Sequence, residues 1–445
     1  MTRRLVIRGG LVVTPSGVRK TDIALEGERV AGLGSFRGRQ GDDIDAEGCY
    51  VLPGGVDPHT HLLADVASAT RSAAFGGTTT AVCFTNPGRG ESASDAVIHG
   101  RGQVEKAAAV DVALHAIVGD PQHVTTQDLE RVRGAGVRGV KVFLAFPEQG
   151  LMASDDCLYQ VLHAAPRLGL LVRVHCENGS LIAALIDEYL AHGKVQAGYF
   201  ARSRPPEAEE EAIFRTLAIA RVARAPVYIT HMTTAGGIRL VQAARSHGQV
   251  VYAEVCLHHL LLNAGRYRGK NAARFLVAPP LRQEVDVEAL WAAVADGTVD
   301  TIGSDHSQLR YEPPPKSPPD FTTLPYGFAG IEMRLPLLLS EGLSRGLPIQ
   351  RLVELAATRP AQLFGLSPRK GAIMPGADAD LVVWDRRPEG KVQPSALHDG
   401  TGDSPYKGMT LSGAIRYVFL RGMLQVANGA LVGSATRGRY LGLQA

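Results

Sequence analysis

The sequence predicts an α/β chain, a (β/α)8 barrel of the TIM type with a small β-sandwich domain formed from both chain termini. Two observations predict the barrel. Eight short runs rich in β-branched residues recur through the middle of the chain, and amphipathic stretches with three- and four-residue apolar spacing lie between them. No Gly-x-Gly-x-x-Gly turn follows the first run, which argues against a doubly wound dinucleotide-binding sheet. A third observation predicts the small domain. Both ends of the chain read as short strands with tight turns, and each is too small to bury a core alone. The expected boundaries are residues 1–50 for the first part of the β domain, 51–369 for the barrel and 370–445 for the second part.

Each element follows from local pattern. Leu5-Val6-Ile7 and Leu11-Val12-Val13 flank Arg8-Gly9-Gly10 as in a hairpin, and Ile23-Ala24-Leu25 and Arg29-Val30-Ala31 flank a turn at Glu26-Gly27-Glu28. Barrel strands are expected at Cys49–Val56, Thr78–Phe84, Val112–Val118, Val137–Leu144, Leu170–His175, Pro226–Thr230, Gln249–Val255 and Asp300–Gly303. Helices are expected at Asp155–Leu168 and Glu207–Arg224. The proline-rich stretch from Pro313 to Pro319 reads as a loop placed to act as a flap. Towards the C-terminus, Ala379–Trp384 and Tyr417–Leu420 read as strands, and Met423–Val432 turns back at Asn428-Gly429.

Composition narrows the class. Of 445 residues, 45% are hydrophobic and 20% charged, enough for a sizeable core and against wholesale disorder. The net charge of +3 is mild and evenly spread, so neither nucleic acid nor a membrane surface is an expected partner. No apolar run approaches the ~18 residues of a membrane helix. Arg8, Gly9 and Gly10 break the first apolar run too early for a secretory signal, so the expected location is the cytoplasm. Cys49, Cys83, Cys157, Cys176 and Cys256 form no Cys-x-x-Cys pair and are odd in number, so reduced thiols are expected. Only nine of the 47 basic residues are lysines, so a lysine inside an apolar run stands out.

The sharpest feature is Asp57-Pro58-His59-Thr60-His61 at the end of the first strand. Residues two apart on a strand point the same way, so both imidazoles can reach one ion. Lys141 lies in the fourth strand, His175 and His231 close the fifth and sixth, and Asp305 follows the eighth. In a barrel those ends converge on one mouth. Any one histidine is more often a satisfied barrel residue than a ligand. Five strands each supplying a polar group at the same end are poorly explained that way.

The order His-x-His, Lys, His, His, Asp resembles the amidohydrolase superfamily, and within it the cyclic amidohydrolase group of hydantoinases and dihydropyrimidinases. Gly54-Gly55-Val56-Asp57-Pro58-His59-Thr60-His61, Ala74-Phe75-Gly76-Gly77-Thr78-Thr79, Val174-His175-Cys176-Glu177-Asn178, Pro279-Pro280-Leu281-Arg282 and Gly303-Ser304-Asp305-His306 carry the likeness, which spans nearly the whole chain. The resemblance implies two divalent metal ions, of the zinc type. His59, His61 and Asp305 would hold one and His175 and His231 the other, with Lys141 bridging both as a carbamate formed from carbon dioxide. A carbamate offers two anionic oxygens where an ammonium would be repelled. Two such ions share a hydroxide that attacks a carbonyl at neutral pH, with Asp305 moving the proton to the leaving nitrogen. The implied substrate is a small cyclic amide or imide, and the implied assembly a homodimer or homotetramer.

The sequence also departs from that group. Phe146 stands five residues after Lys141, where the group usually carries a tyrosine that steadies the oxyanion, and Phe146 cannot donate a hydrogen bond. Ala278 replaces a serine before Pro-Pro-Leu-Arg, and Tyr326 replaces an asparagine between Pro325 and Gly327. Tyr326 is the expected substitute donor, and backbone groups near Ala278 remain available to a ring. Asn86, in Thr85-Asn86-Pro87, is reminiscent of an asparagine-bearing loop of dihydroorotases. An allantoinase or dihydroorotase reading stays open, although Leu62, Leu63 and Ala64 supply no arginine after His-x-His. A non-catalytic scaffold is the reading from another class, opposed by the intact ligand positions. His258 and His259 are expected in packing or surface roles, His306 beside the ligands, Cys176 and Cys256 as small buried residues, and Arg202, Arg204, Glu209, Glu210 and Glu211 as a solvated face.

Overall fold

The computed structural model describes residues 4–38, 42–88, 90–118, 124–308 and 320–442. The proline-rich stretch from Pro313 to Pro319 lies outside the described residues. The chain forms two compact units, one of Met1–Val82, Gln103–Ala113 and Gly330–Leu441, the other of Cys83–Gly102, Leu114–Ala329 and Gly442–Ala445. Among the described residues, no helix is long and apolar enough to cross a membrane.

The first unit carries a nine-stranded mixed sheet built from both chain ends. Its join is the short strand Tyr50–Pro53, parallel to Arg4–Thr14 on one side and antiparallel to Leu381–Lys391 on the other. Ile7, Val12, Ile23, Leu25, Val51, Leu381, Val383 and Phe419 bury a common core, which neither chain end supplies alone. The turns at Gly27 and at Asn428-Gly429 form as expected. Asn428 and Gly429 both take the positive φ that a tight two-residue hairpin demands, 46° and 77°.

Two expectations need correction here. Arg8-Gly9-Gly10 is no hairpin turn. Arg4–Thr14 is one strand that pairs with Gly17–Glu26, and its register shifts between Ile7 and Gly10. Gly9 takes a left-handed φ of 67°, and the Arg8 guanidinium is held by Asp22 at 3.1 Å and Asp43 at 2.7 Å. The glycines therefore make a bulge. The segment Cys49–Val56 is likewise not one strand. Tyr50–Pro53 belongs to the terminal sheet, and the first barrel strand is Gly55–His61. The chain changes sheets at Gly54, whose N–H donates to Asp380 O at 2.8 Å, while the N–H of Gly55 donates to Gly77 O at 2.8 Å. A Cβ on Gly54 would collide with the Thr79 side chain. His59 and His61 thus lie within the first barrel strand rather than beyond its end.

The remaining strands run in chain order. Thr78–Phe84 and Asp111–Ile117 each pass along the chain from one unit into the other, and Gly139–Phe143, Leu171–His175, Val227–Ile229, Val251–Cys256 and Thr301–Gly303 lie in the second. From the third strand to the eighth, each is parallel to the next. This is the (β/α)8 barrel order. Helix Asp155–Ala164 starts where Ser154 accepts from the N–H of Cys157, and buries Cys157, Leu158, Val161 and Leu162 on one face. A 3-10 turn, Ala165–Leu168, continues it. Helix Pro206–Ala223 opens with proline and Glu207 in its first turn and stops at Arg224, whose φ is 54°.

Candidate active site

Four of the expected ligands lie in the second unit. Lys141, at the middle of the fourth strand, is buried, and its Nζ stands 4.4 Å from the Phe84 ring centre and 4.8 Å from that of Phe143. Burial in this apolar setting lowers its amine from the ordinary 10.5 to about 8. His175 ends the fifth strand and is buried. His231 and Asp305 follow the sixth and eighth strands with φ of 34° and 48°. Six non-glycine residues among those described have positive φ, and three are Phe146, His231 and Asp305. Non-glycine residues enter that region at a cost and cluster at functional sites.

The two histidines meet. Nδ1 of His175 lies 3.0 Å from Nε2 of His231, with the rings near perpendicular at 76°. The other ring nitrogen of His175, Nε2, is 2.8 Å from a Glu177 carboxylate oxygen. Burial holds the His175 imidazolium below its ordinary pKa, so the ring is neutral near pH 7 and keeps one lone pair. Two imidazoles with nitrogens facing at this distance suit a borderline divalent cation such as zinc, and the carboxylate of Asp305 adds a donor of compatible type.

In the first unit, His59 and His61 sit two apart on the first strand, with ring centres 5.6 Å apart; His59 is buried and His61 half-buried. Asp57 precedes them, accepting from the N–H of His59 at 3.2 Å and facing the buried Arg334 at 3.4 Å.

Of the four expected substrate contacts, three come together in one apolar cluster. Phe146 and Ala278 are buried in it, and Tyr326 packs against it. The Phe146 ring is 4.9 Å from that of His175 and lies parallel to Tyr326, with ring centres 6.1 Å apart. The Tyr326 hydroxyl oxygen accepts from Nε2 of Gln149 at 2.8 Å. Burial raises its pKa, so it stays protonated. Asn86 is exposed in the loop after the second strand.

Other readings divide. Cys176 and Cys256 are buried as expected, and desolvation pushes the Cys176 thiol up to about 12. His258 and His259 are buried, not on the surface, and Nε2–H of His259 donates to Pro279 O at 3.0 Å. The solvated-face reading fails for two residues. Arg204 and Glu209 are buried, Arg204 beside Glu177 at 2.7 Å and Glu209 beside Arg282 at 3.0 Å. Glu209 shares the buried helical face of Ile213, Thr216 and Ala220, a spacing that the sequence did contain. Arg204 left no such trace, because its partner lies 27 residues away in the chain.

Comparison with known proteins agrees with this geometry. The pattern described as the Amidohydrolase family matches residues 50–424. The chain is 37% identical over 451 residues to the D-hydantoinase of Ralstonia pickettii, covering 98% of each. It is 35% identical over 453 residues to the D-phenylhydantoinase of Escherichia coli O1:K1 / APEC, again covering 98% of each. Among solved structures, the dihydropyrimidinase from Brevibacillus agri NCHU1002 matches with a TM-score of 0.94 at 34% identity, covering 100% of both chains. With a family match over most of its length and relatives this similar end to end, the chain belongs to the amidohydrolase family.

Proposed function

We propose that this protein is a metal-dependent hydrolase that opens a cyclic amide or imide ring. The observation that carries the reading is the facing pair His175 and His231, with buried Lys141 in the strand next to that of His175, in a chain similar throughout to proteins named hydantoinase. In this reading His59, His61 and Asp305 would hold one divalent ion and His175 and His231 the other, and Lys141, as a carbamate, would supply anionic oxygens to both. Two such ions, when bound, activate a water and polarise the ring carbonyl. The chain's own groups do the rest. Asp305 accepts the proton of the attacking water at its carboxylate and returns it to the ring nitrogen as the C–N bond breaks. The apolar cluster around Phe143, Phe146 and Ala278 keeps bulk water from the ring. Tyr326 supplies a hydrogen bond to the developing oxyanion. Its oxygen already accepts from Gln149, which leaves the O–H proton to donate elsewhere.

The replacement of a donor by Phe146 sets the expected preference. Losing one oxyanion donor commonly costs ~100-fold or more unless another group takes over. Plain hydantoin and dihydrouracil are therefore expected to turn over weakly, and another ring to be preferred. The experiment is kcat/KM across hydantoins, dihydropyrimidines, allantoin, dihydroorotate and larger lactams. At least one ring should reach ordinary efficiency, above ~10⁴ M⁻¹s⁻¹, and Tyr326→Phe should lower it. No turnover of any cyclic amide by the metal-loaded protein would refute the reading. Ordinary efficiency on plain hydantoin, unchanged in Tyr326→Phe, would refute the preference and the donor alone.

A further inference from the structure

We propose that Glu177, held by Arg204, is a positioning residue that selects which nitrogen His175 presents to a metal ion. The inference rests on the two-ion reading above and names what sets one ligand. Glu177 follows the fifth strand two residues after His175, and Asn178 then caps the next helix, Gly179–Ala191, by accepting from the N–H of Leu181. The Glu177 carboxylate is therefore anchored on both sides. One of its oxygens meets Nε2 of His175 at 2.8 Å and a guanidinium nitrogen of Arg204 at 2.7 Å.

A neutral imidazole has one N–H. A carboxylate only accepts, so the proton of His175 sits on Nε2, where it donates to Glu177. The lone pair is then left on Nδ1, the nitrogen that faces His231 at 3.0 Å. Arg204 holds the carboxylate in place through its contact at 2.7 Å. Its guanidinium is itself fixed above the rings of Phe146 and Phe200, at 5.1 Å and 5.0 Å from their centres. Behind it, Arg282 donates to the Arg204 carbonyl at 2.5 Å, to Glu209 at 3.0 Å and to Oγ1 of Thr233 at 2.8 Å. Glu209 also accepts from the Thr233 N–H at 2.7 Å, two residues past His231. One buried charge network thus braces the segments that follow both histidines. Partners of this kind are commonly worth about 10–100-fold in metal affinity.

The test is metal retention. Metal-free protein is reloaded with zinc, dialysed against graded dipicolinate, and its zinc per chain measured. Wild type should release two ions in two steps. Glu177→Asp keeps a carboxylate beside Arg204 but withdraws it from His175 by one methylene. It should release one ion at about 10–100-fold lower chelator while the other holds, and its cobalt-substituted visible spectrum should change at that step. A purely structural role would lower the melting temperature and leave both release midpoints in place, which overturns the proposal. A second measurement needs no variant. In metal-free wild type, the ¹⁵N shifts of labelled histidine should place the His175 proton on Nε2, and a proton on Nδ1 overturns it equally. Wild type that takes up no zinc overturns instead the two-ion reading beneath it.

Discussion

In the proposed mechanism Lys141 carries the heaviest chemical load of any single residue. An ammonium between two cations would be repelled, so the reading requires the amine to give up its proton and take on carbon dioxide. Its burial among Phe84 and Phe143 already lowers the amine to about 8, which eases the loss of that proton. Lys141→Ala is expected to lose most of the bound metal, with partial recovery of activity in millimolar acetate or propionate; full occupancy and normal turnover in that variant would contradict the bridge. Asp305→Asn should differ in kind. It should retain at least one ion and lose about 10²–10⁴-fold in kcat, because an amide cannot shuttle the proton. Wild-type kcat in Asp305→Asn would remove Asp305 from the proton path. Lys141 stood out in the sequence because a lysine is rare inside an apolar strand, and Asp305 because it follows one closely. Glu177, Arg204 and Arg282 did not, since a charged residue reads as solvated until the fold brings its partner to it.

At the scale of elements, the strands and helices of the second unit match their apolar periodicity to within about two residues, the usual slack at element ends. The misread places are both glycine-bearing. Arg8-Gly9-Gly10 has the composition of a turn, but its register and ion pairs make it a bulge. Gly54 sits inside an unbroken apolar run, so nothing local announces that the chain leaves one sheet for another there. The network behind the histidines has an energetic consequence for the elements it joins. Arg282 ties helix Pro206–Ala223 to the segment after the sixth strand through Glu209 and Thr233. Arg282→Ala would strand the buried Glu209 carboxylate, and it should cost about 3–5 kcal/mol of stability in urea unfolding. A loss below ~1 kcal/mol would show that the buried Glu209 carboxylate does not depend on Arg282 for its pairing.

For the whole molecule, all five cysteines are buried and free. The native protein should therefore expose no thiol to a disulfide reagent until it unfolds, whereas a stoichiometric fast-reacting thiol would contradict the packing. A homodimer or homotetramer is proposed from the resemblance. Light scattering giving a stable 47.3 kDa species at micromolar concentration would refute it. The barrel and the terminal sheet were readable from alternation and from the pairing need of two small β ends. The substrate was not, because the apolar cluster departs from the resembled group at Phe146, Ala278 and Tyr326. The most direct test of the central claim is the ring-opening rate on the best substrate of the panel, measured on one preparation before chelation, after complete metal removal, and after zinc is returned with bicarbonate. Metal dependence predicts that turnover disappears with the metal and comes back with it; full turnover by the metal-free protein would contradict the account.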